Sequence, residues 1–338
     1  AWFSNKDWTR AIEDASRAIE IEPRFARAFL KRAYPRWERG KQLAEVGKTR
    51  EAEAEWKAAI IDSESALRIR PDYVAAYRAR GIFRFRFRDY EGARQDFLKG
   101  LEIDPDDPDL HMSLGVVYMK IGNYAGGIHE LTIAIEGGAN PNEARNHRGS
   151  ALLKLERFDE AIADFDVAVR LHGTTAETYN SRGCAYSARL LRHLEANRRK
   201  EATLDFERAA ADFTKAAGMK ERYADPYVNR GNMYANSSRY LARHERTQEA
   251  IKACTEAMAD YSRAIAIDPA RCDTWCDRGR MHEMLAHLER DRAAEHREKA
   301  KADLLKAKSL AAPDWPRLPE LEKLLRHLHE EDQLPCIF

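Results

Sequence analysis

Apolar and polar residues follow one another along this chain with the spacing of helices that bury one face. In residues 74–105, two apolar stripes are separated by a polar turn that begins at Asp89, and Asp104 and Pro105 close the second stripe. Recurrence every three or four positions favours a helix over a strand, and the residue before a proline is held out of the helical region. The block therefore predicts two consecutive helices, with apolar positions Tyr77, Gly81, Phe85, Ala93, Phe97 and Gly100.

This two-helix block recurs through almost the whole chain. A small residue marks the first helix of seven blocks, and an acidic residue marks the second helix of eight. The first-helix markers recur at two spacings only, a shorter one as from Gly81 to Gly115 and a longer one as from Gly183 to Gly231, and the acidic markers repeat the same series up to the final block. A fixed period of this kind indicates stacked tandem repeats. The markers are Ala33, Gly81, Gly115, Gly149, Gly183, Gly231 and Gly279, then Asp14, Asp62, Asp96, Glu130, Asp164, Asp212, Asp260 and Asp303.

Several segments of these blocks resemble the tetratricopeptide repeat, a pair of antiparallel helices. The resemblance is carried by VAAYRARGIFRFRFRDYEGARQDFLKGLEIDP (74–105), AETYNSRGCAY (176–186), ADPYVNRGNMY (224–234), FDEAIADFDVAVRL (158–171) and YSRAIAIDP (261–269). It implies an all-α fold, a right-handed α-solenoid of about seven to eight helix pairs over residues 1–312. It also implies a concave groove, lined mainly by first helices, that typically holds a peptide or partner protein. Pro35 departs from the pattern, and because a proline inside a helix kinks it at a cost of about 3 kcal/mol, we expect an irregular second block.

Several blocks carry additional residues between their two markers. The shortest separation is found in three blocks, as from Gly81 to Asp96, and a longer one in three others, as from Gly183 to Asp212; the last block is intermediate. The inserted segments are charged and favour helix, so we expect each insertion to add about seven residues, nearly two turns, to each helix. Each extension should project about 10 Å. The elongated hairpins are predicted near 38–56, 188–206, 236–254 and 285–299, either as solvated helix ends or as a ridge that docks another subunit.

The resemblance also suggests which first-helix side chains line the groove. In the N-terminal half these residues are mostly apolar: Leu30, Tyr34, Trp37, Ile82, Phe85, Met112, Val116, Met119 and Leu153. In the C-terminal half they are amides, small polar residues and charges: Asn180, Cys184, Ser187, Asn229, Asn232, Asp277, Arg280 and Glu283. Such a groove suits an extended or helical segment, because amides can bond a peptide backbone while apolar pockets set preference. The alternative is that the aromatic residues belong to the core between helices.

An arginine precedes the small marker in most blocks, always at the same distance after an acidic marker. Because this spacing stays fixed while the spacing inside a block varies, we expect each arginine to bond the acidic residue of the preceding block. A guanidinium fork suits a partly buried carboxylate; a row of anion-binding arginines is the alternative. The expected pairs are Arg32 with Asp14, Arg80 with Asp62, Arg148 with Glu130, Arg182 with Asp164, Arg230 with Asp212 and Arg278 with Asp260, and Leu114 breaks the series after Asp96.

The charge balance and composition narrow the classes of function. The 57 Lys and Arg residues nearly cancel the 56 Asp and Glu residues, which argues against a dedicated nucleic-acid binder. The stretch RGIFRFRFR (80–88) interleaves basic and aromatic residues, but in register it is one first helix. No stretch is long and apolar enough for a membrane span, and five cysteines suggest a reducing, cytoplasmic compartment. We expect no cofactor and no metal, since the histidines of HEMLAH (282–287) and the pair Cys272 and Cys276 lack the spacing or partners of a zinc site.

Both ends of the chain carry an expectation. In register, Trp2 and Phe3 end a first helix, so the first block is half present and we expect more repeats or another domain upstream. Residues 313–338 are predicted to be a capping helix and tail, because a leucine stripe faces a charged surface and solenoids shield their last repeat. The stripe is Leu318, Leu321, Leu324, Leu325 and Leu328, and Ile337 and Phe338 follow it.

These patterns favour a non-catalytic scaffold or adaptor that binds a protein segment in its groove. No nucleophile and base pair, phosphate-binding glycine loop or nucleophile elbow stands out in the sequence. The alternative is a repeat region or subunit of a larger enzyme or signalling complex whose catalytic part lies elsewhere. The expected partner is a protein or peptide, with neither nucleic acid nor membrane insertion.

Overall fold

The computed structural model describes residues 7–171 and 174–333, and the fold within them is all-α. The predictions for Trp2, Phe3 and the tail from Pro335 to Phe338 lie outside these residues. The chain divides into an N-terminal unit, Ala1–Glu156, and a C-terminal unit, Arg157–Phe338, each with its own packing. No strand occurs in the described parts of either unit. The predicted all-α class and its tandem helix pairs are confirmed.

The helices of each unit follow one another through short turns and pack against their sequence neighbours. Those of the N-terminal unit are α1 (Trp8–Ile21), α2 (Ala26–Glu45), α3 (Thr49–Ile69), α4 (Val74–Arg86), α5 (Tyr90–Ile103), α6 (Pro108–Lys120), α7 (Tyr124–Glu136) and α8 (Pro141–Lys154). Those of the C-terminal unit are α9 (Phe158–Arg170), α10 (Ala176–Glu195), α11 (Arg199–Met219), α12 (Asp225–Arg243), α13 (Thr247–Ile267), α14 (Cys272–Leu288), α15 (Ala293–Leu310) and α16 (Leu318–Gln333), with a 3-10 turn at Arg290–Arg292.

Helix lengths fall into two classes. Helices α4 and α5 have 13 and 14 residues, whereas α2 and α3 have 20 and 21. The pairs α10 with α11 and α12 with α13 are also long, at 20 with 21 and 19 with 21 residues. Each long helix thus exceeds a short one by about seven residues, or roughly 10 Å. The final pair, α14 and α15, is intermediate at 17 and 18 residues.

Short and long hairpins turn in the same way. In α4–α5 the Asp89 N–H donates to the Arg84 carbonyl at 3.0 Å, and in α10–α11 the Arg198 N–H donates to the His193 carbonyl at 2.8 Å. In both turns the residue just before the donor has a left-handed backbone conformation, with φ of 62° at Arg88 and 55° at Asn197. This is the Schellman arrangement, which satisfies the last carbonyls of a helix. The added residues therefore lengthen the helices and leave the turn unchanged.

The core between paired helices joins a glycine to a large side chain. A Cβ atom at Gly81 would lie 2.5 Å from the Phe97 ring, and one at Gly183 would lie 2.8 Å from the Phe213 ring. Real Cβ contacts are not this short, so only glycine admits the ring at these crossings. The same relationship pairs Gly231 with Tyr261. The first-helix marker and the residue after the acidic marker are thus one packing unit.

Two further expectations concern α2 and α16. Helix α2 continues for nine residues before Pro35 and ten after it, so the helix is not broken there; the proline is buried within it. Helix α16 packs on α15 through Leu321 and Leu328, which are 0% and 1% exposed. Leu324 and Leu325 of the predicted stripe are partly buried in the same cluster.

Candidate interaction faces of the first helices

Arginines of the first helices hold buried aspartates on the second helix of their own pair. Arg182 Nε and Nη2 donate to the two carboxylate oxygens of Asp212 at 2.8 and 2.7 Å. Arg230 binds Asp260 with two bonds of 2.7 Å. Such bidentate pairs are among the strong hydrogen bonds of proteins. The same geometry joins Arg32 to Asp62, Arg80 to Asp96 and Arg278 to Asp303.

For most of these arginines, Nη1 reaches the preceding second helix. Arg230 Nη1 donates to Thr214 Oγ1 at 2.6 Å, and Arg182 Nη1 to Asp166 Oδ1 at 2.8 Å. In each case the acceptor comes two residues after the acidic marker. Equivalent bonds join Arg32 to Ser16, Arg148 to Thr132 and Arg278 to Ser262. These arginines therefore tie neighbouring helix pairs together, and we call this set of contacts the arginine ladder.

The expectation that each arginine bonds the preceding acidic marker is wrong in its partner. Arg32, Arg80, Arg182, Arg230 and Arg278 bind the marker of their own pair instead. The reason is geometric: two residues turn a helix by about 200°, so an acidic marker and the residue two positions after it point to opposite sides of the second helix. The acidic marker faces the first helix of its own pair, and the residue two positions later faces the first helix of the following pair. Arg148 follows the same rule where it donates to Thr132, the residue two positions after Glu130.

The electrostatics of the ladder fit a structural role. Asp62 and Asp260 are each 2% exposed. Burial raises the pKa of Asp212, and the hydrogen bond from Arg182 opposes that rise. The hydrogen bond to Asp212 raises the pKa of Arg182, so its guanidinium stays charged. The guanidinium N–H groups of the ladder arginines thus bond residues of the protein itself, which argues against a role in binding an external anion.

The pair α6–α7 replaces the arginine with a histidine. Leu114 occupies the arginine position and is buried, and Glu130 is held by His111, one turn earlier, at 2.7 Å from Nδ1. His111 Nε2 lies 2.9 Å from the Pro105 carbonyl. Both ring nitrogens thus lie within hydrogen-bond distance of an oxygen. Where Leu114 breaks the sequence series, a histidine contacts the acidic residue in place of an arginine.

Two long hairpins, α2–α3 and α10–α11, repeat the contact one heptad further out. Arg39, seven residues after Arg32, contacts Glu55 at 2.6 Å, and Glu55 lies seven residues before Asp62. Arg189 likewise holds Asp205 with bonds of 2.9 and 2.7 Å. A shift of seven residues nearly preserves the helix face, so the extension continues the interface of the hairpin base. These outer residues were missed at the level of sequence, although the seven-residue offset from the markers would have found them.

The N-terminal candidates are divided between core and surface. Trp37 is 6% exposed and stacks on Phe83 with ring centroids 4.6 Å apart, so its assignment to a groove is wrong and it belongs to the core. Leu30 is equally buried. Phe85 is half-buried against Tyr90, with centroids 5.4 Å apart. The remaining candidates keep part of their surface exposed: Tyr34, Ile82, Met112, Val116, Met119 and Leu153.

Several C-terminal candidates are engaged with other residues of the C-terminal unit. Asn229 donates to Asn180 at 3.0 Å across α10 and α12, and Asn232 accepts the Tyr261 hydroxyl at 2.7 Å. Arg280 pairs with Glu320 of α16 at 3.1 Å. The adjoining segment covers the same helix, since Arg317 pairs with Asp277 at 2.6 Å. The capping segment thus occupies part of the face predicted to be open.

A pocket at the turn end of the N-terminal unit was not anticipated. Five residues of α2, α3 and the end of α4 line a cavity of about 430 Å³, which we call the rim pocket: Trp37, Lys41, Trp56, Arg86 and Phe87. Trp56 Nε1 donates to the Trp37 carbonyl at 3.1 Å, which fixes the indole ring. In the sequence, the one indication of this pocket was Trp56, a large aromatic residue at the end of the predicted 38–56 hairpin.

Two further properties of the described residues bear on other functions. No group of three or more His, Cys, Asp or Glu side chains is placed to hold a metal ion in residues 7–171 and 174–333. Among the same residues, none of the helices combines the length and apolar character needed to cross a membrane.

Two segments of the chain match models of known families. Residues 89–122 match a family model described as TPR repeat, and residues 112–174 match one described as tetratricopeptide repeat. Residues 89–174 therefore carry tetratricopeptide repeats. The first match runs from α5 through α6, so it covers the second helix of one pair and the first helix of the next. No curated protein matches the chain in sequence.

Solved tetratricopeptide repeat structures share the fold over most of the chain. A tetratricopeptide repeat protein from Parabacteroides merdae is 14% identical with a TM-score of 0.56, covering 88% of this chain and 98% of its own. Yeast Tom70 is 14% identical with a TM-score of 0.54, covering 98% and 60%. A chain of the Cut9–Hcn1 hetero-tetramer of APC/C is also 14% identical at 0.54, covering 96% and 53%. At this identity the likeness extends to the fold alone.

Proposed function

We propose that the chain is a non-catalytic interaction scaffold and that the first helices of its N-terminal unit bind an extended polypeptide segment. Its tetratricopeptide repeats support an interaction role in general. The face in question is formed by α2, α4, α6 and α8, whose consecutive members pack against each other. We call it the N-terminal face.

One observation carries this proposal: partly exposed apolar side chains recur at equivalent positions of successive first helices. Tyr34, Ile82 and Val116 each follow a small marker directly, on α2, α4 and α6. Met119 and Leu153 lie one turn later on α6 and α8. Apolar side chains spaced along a groove supply the pockets that give peptide recognition its preference. Among the corresponding C-terminal residues, Asn180 and Asn229 bond each other and Asn232 bonds Tyr261.

A polar group on α8 complements these apolar positions. The side-chain oxygen of Asn146 is buried and has no hydrogen-bond partner among the described residues. An unsatisfied buried acceptor costs about 1–3 kcal/mol, and a peptide N–H arriving on this face would remove that cost. Asn146 is thus the residue we assign to backbone recognition.

The test uses peptides selected on the protein itself. A random peptide library is panned on the whole chain, and the affinity of selected peptides is measured by fluorescence polarisation. We expect V116E and L153E each to weaken binding about tenfold or more, because a carboxylate then faces an apolar anchor. The matched control is I103E, which changes an apolar residue on the second helix α5 that is 41% exposed. Equal loss in I103E, or no loss in V116E and L153E, would contradict the proposal.

A further inference from the structure

We propose that the rim pocket is a second binding site, for an acidic polypeptide segment that carries one bulky apolar side chain. The site exists because a long hairpin stands beside a short one. Helices α2 and α3 are seven residues longer than α4 and α5. Trp56 and Lys41 lie in the extended part, and Phe87 is the capping residue at the end of α4. The extension therefore has a flank that the neighbouring pair is too short to cover.

The apolar wall of the pocket is held in place before any ligand arrives. Trp37 and Trp56 have ring centroids 5.7 Å apart, and each lies 6.1 Å from Phe87 in an edge-on arrangement. Trp37 is anchored by its stack on Phe83, and Trp56 by its bond to the Trp37 carbonyl. Phe87 remains 37% exposed. Rigid aromatic surfaces that are already in place reduce the entropy lost on binding, so they suit an apolar anchor.

The charge around this wall is positive. Arg86 is exposed and has no ion-pair partner among the described residues. Lys41 is paired with Glu38 at 2.6 Å, but both side chains are more than a third exposed, and such surface pairs exchange partners at little cost. Arg39 and Glu55 neutralise each other nearby. A carboxylate placed beside the aromatic wall therefore meets Arg86 and Lys41, and an arginine fork matches a carboxylate well.

The pocket suits a polypeptide better than a single-stranded nucleic acid. The stretch RGIFRFRFR could have formed a basic and aromatic track, but Phe83 is buried, and Arg80 and Arg84 both bind Asp96. Only Arg86 and Phe87 of that stretch line the cavity. A cavity of about 430 Å³ lies within the range of small-ligand sites. It has room for one aromatic or branched side chain, with acidic neighbours on the rim.

The experiment measures binding of three N-acetylated, C-amidated peptides to the whole chain. The first alternates Glu and Ser around a central Phe, the second has Lys in place of Glu, and the third has Ser in place of Phe. Tryptophan fluorescence reports occupancy, because Trp37 and Trp56 line the site. We expect only the first peptide to bind, with affinity that falls as salt rises.

Variants then locate the site. R86E and F87A are each expected to weaken binding of the first peptide about tenfold or more, equivalent to about 1.4 kcal/mol. R27E makes the same charge change on α2, about 20 Å away along the helix, and should leave binding within about twofold. V116E tests independence from the N-terminal face and should also leave it unchanged. Equal binding of the Lys or Ser peptide, equal effects of R86E and R27E, or displacement by oligo-dT would overturn the proposal.

Discussion

Arg230 and Asp260 are joined by two hydrogen bonds of 2.7 Å although 30 residues separate them in sequence. Arg80 and Asp96 make the equivalent contact across only 16 residues. The additional residues of the longer hairpin lie beyond the contact, in its outer part, so they leave the contact geometry intact. The arginine ladder is therefore a property of the hairpin base and does not depend on hairpin length.

Removing one partner of a ladder pair should be strongly destabilising. R230A leaves the buried carboxylate of Asp260 without its main counter-charge, which typically costs about 3 kcal/mol or more. The free energy of unfolding is measured by urea titration followed by circular dichroism. The control R246A removes an exposed pair with Glu249 and should cost at most about 1 kcal/mol. Equal costs for the two variants would show that the ladder is no more than a surface ion pair.

The glycine and aromatic pairs predict a coupled effect. G183A introduces a Cβ that would lie 2.8 Å from the Phe213 ring, and overpacking of this kind costs about 1–3 kcal/mol. When F213A has already opened the space, the same change should cost less than about 1 kcal/mol. A double-mutant cycle in unfolding free energy measures the difference. Additive costs would mean that Gly183 and Phe213 do not share a packing site.

The hairpins should tolerate the loss of whole heptads. Deleting residues 187–193 together with 201–207 removes seven residues from each of α10 and α11, along with the outer Arg189 and Asp205 contact. The inner contact of Arg182 with Asp212 would then span the same sequence distance as that of Arg80 with Asp96, so the protein should fold with helical content reduced in proportion. Deleting 187–191 with 203–207 instead removes five from each helix and rotates the faces by about 140° out of register. That variant should lose cooperative unfolding, and equal behaviour of the two deletions would contradict the register argument.

The half-buried side chain of His282 should make stability depend on pH. Burial lowers the pKa of His282 from its ordinary value of 6.5 to about 4, and the neighbouring His296 and Arg278 act in the same direction while Asp303 opposes them. The unfolded state therefore takes up the proton first as pH falls, and stability declines from about pH 6.5 to about pH 4. At pH 5 the decline should be about 1 kcal/mol, because solvent around the partly exposed ring screens part of the effect. H282L should remove that part of the pH dependence, and an unchanged pH profile of unfolding in H282L would refute the assignment.

A left-handed turn residue offers a stabilising change. Arg88 has a φ of 62°, in the left-handed region of the backbone. This conformation is strained for a residue that has a side chain, but not for glycine. Gly47 and Gly122 occupy equivalent turns with φ of 79° and 83°. R88G should raise the free energy of unfolding by about 0.5–1 kcal/mol, as measured by urea titration. A loss of stability would show that the Arg88 side chain contributes more than its backbone costs.

The sequence predicts the helix pairs well because their markers repeat, and each long helix in the structure has about seven extra residues. Sequence spacing could not identify the ladder partners, because one arginine contacts the second helix of its own pair and that of the preceding pair. Which residue of each second helix points toward the arginine is known only from the structure. The sequence places Trp37 in the groove because register fixes the side of a helix but not the depth to which a large ring is buried. The pairing of Arg280 with Glu320 depends on where α16 lies, and no repeat pattern encodes that position.

The most direct test of the proposed function is photocrosslinking from the N-terminal face. A benzophenone amino acid is placed at position 116, and in a separate variant at position 103 on α5, and each is irradiated with a selected peptide at saturating concentration. Our account predicts a crosslinked product from position 116 and none from position 103. Crosslinking from position 103 alone, or equal yields from both positions, would contradict the assignment of binding to the N-terminal face.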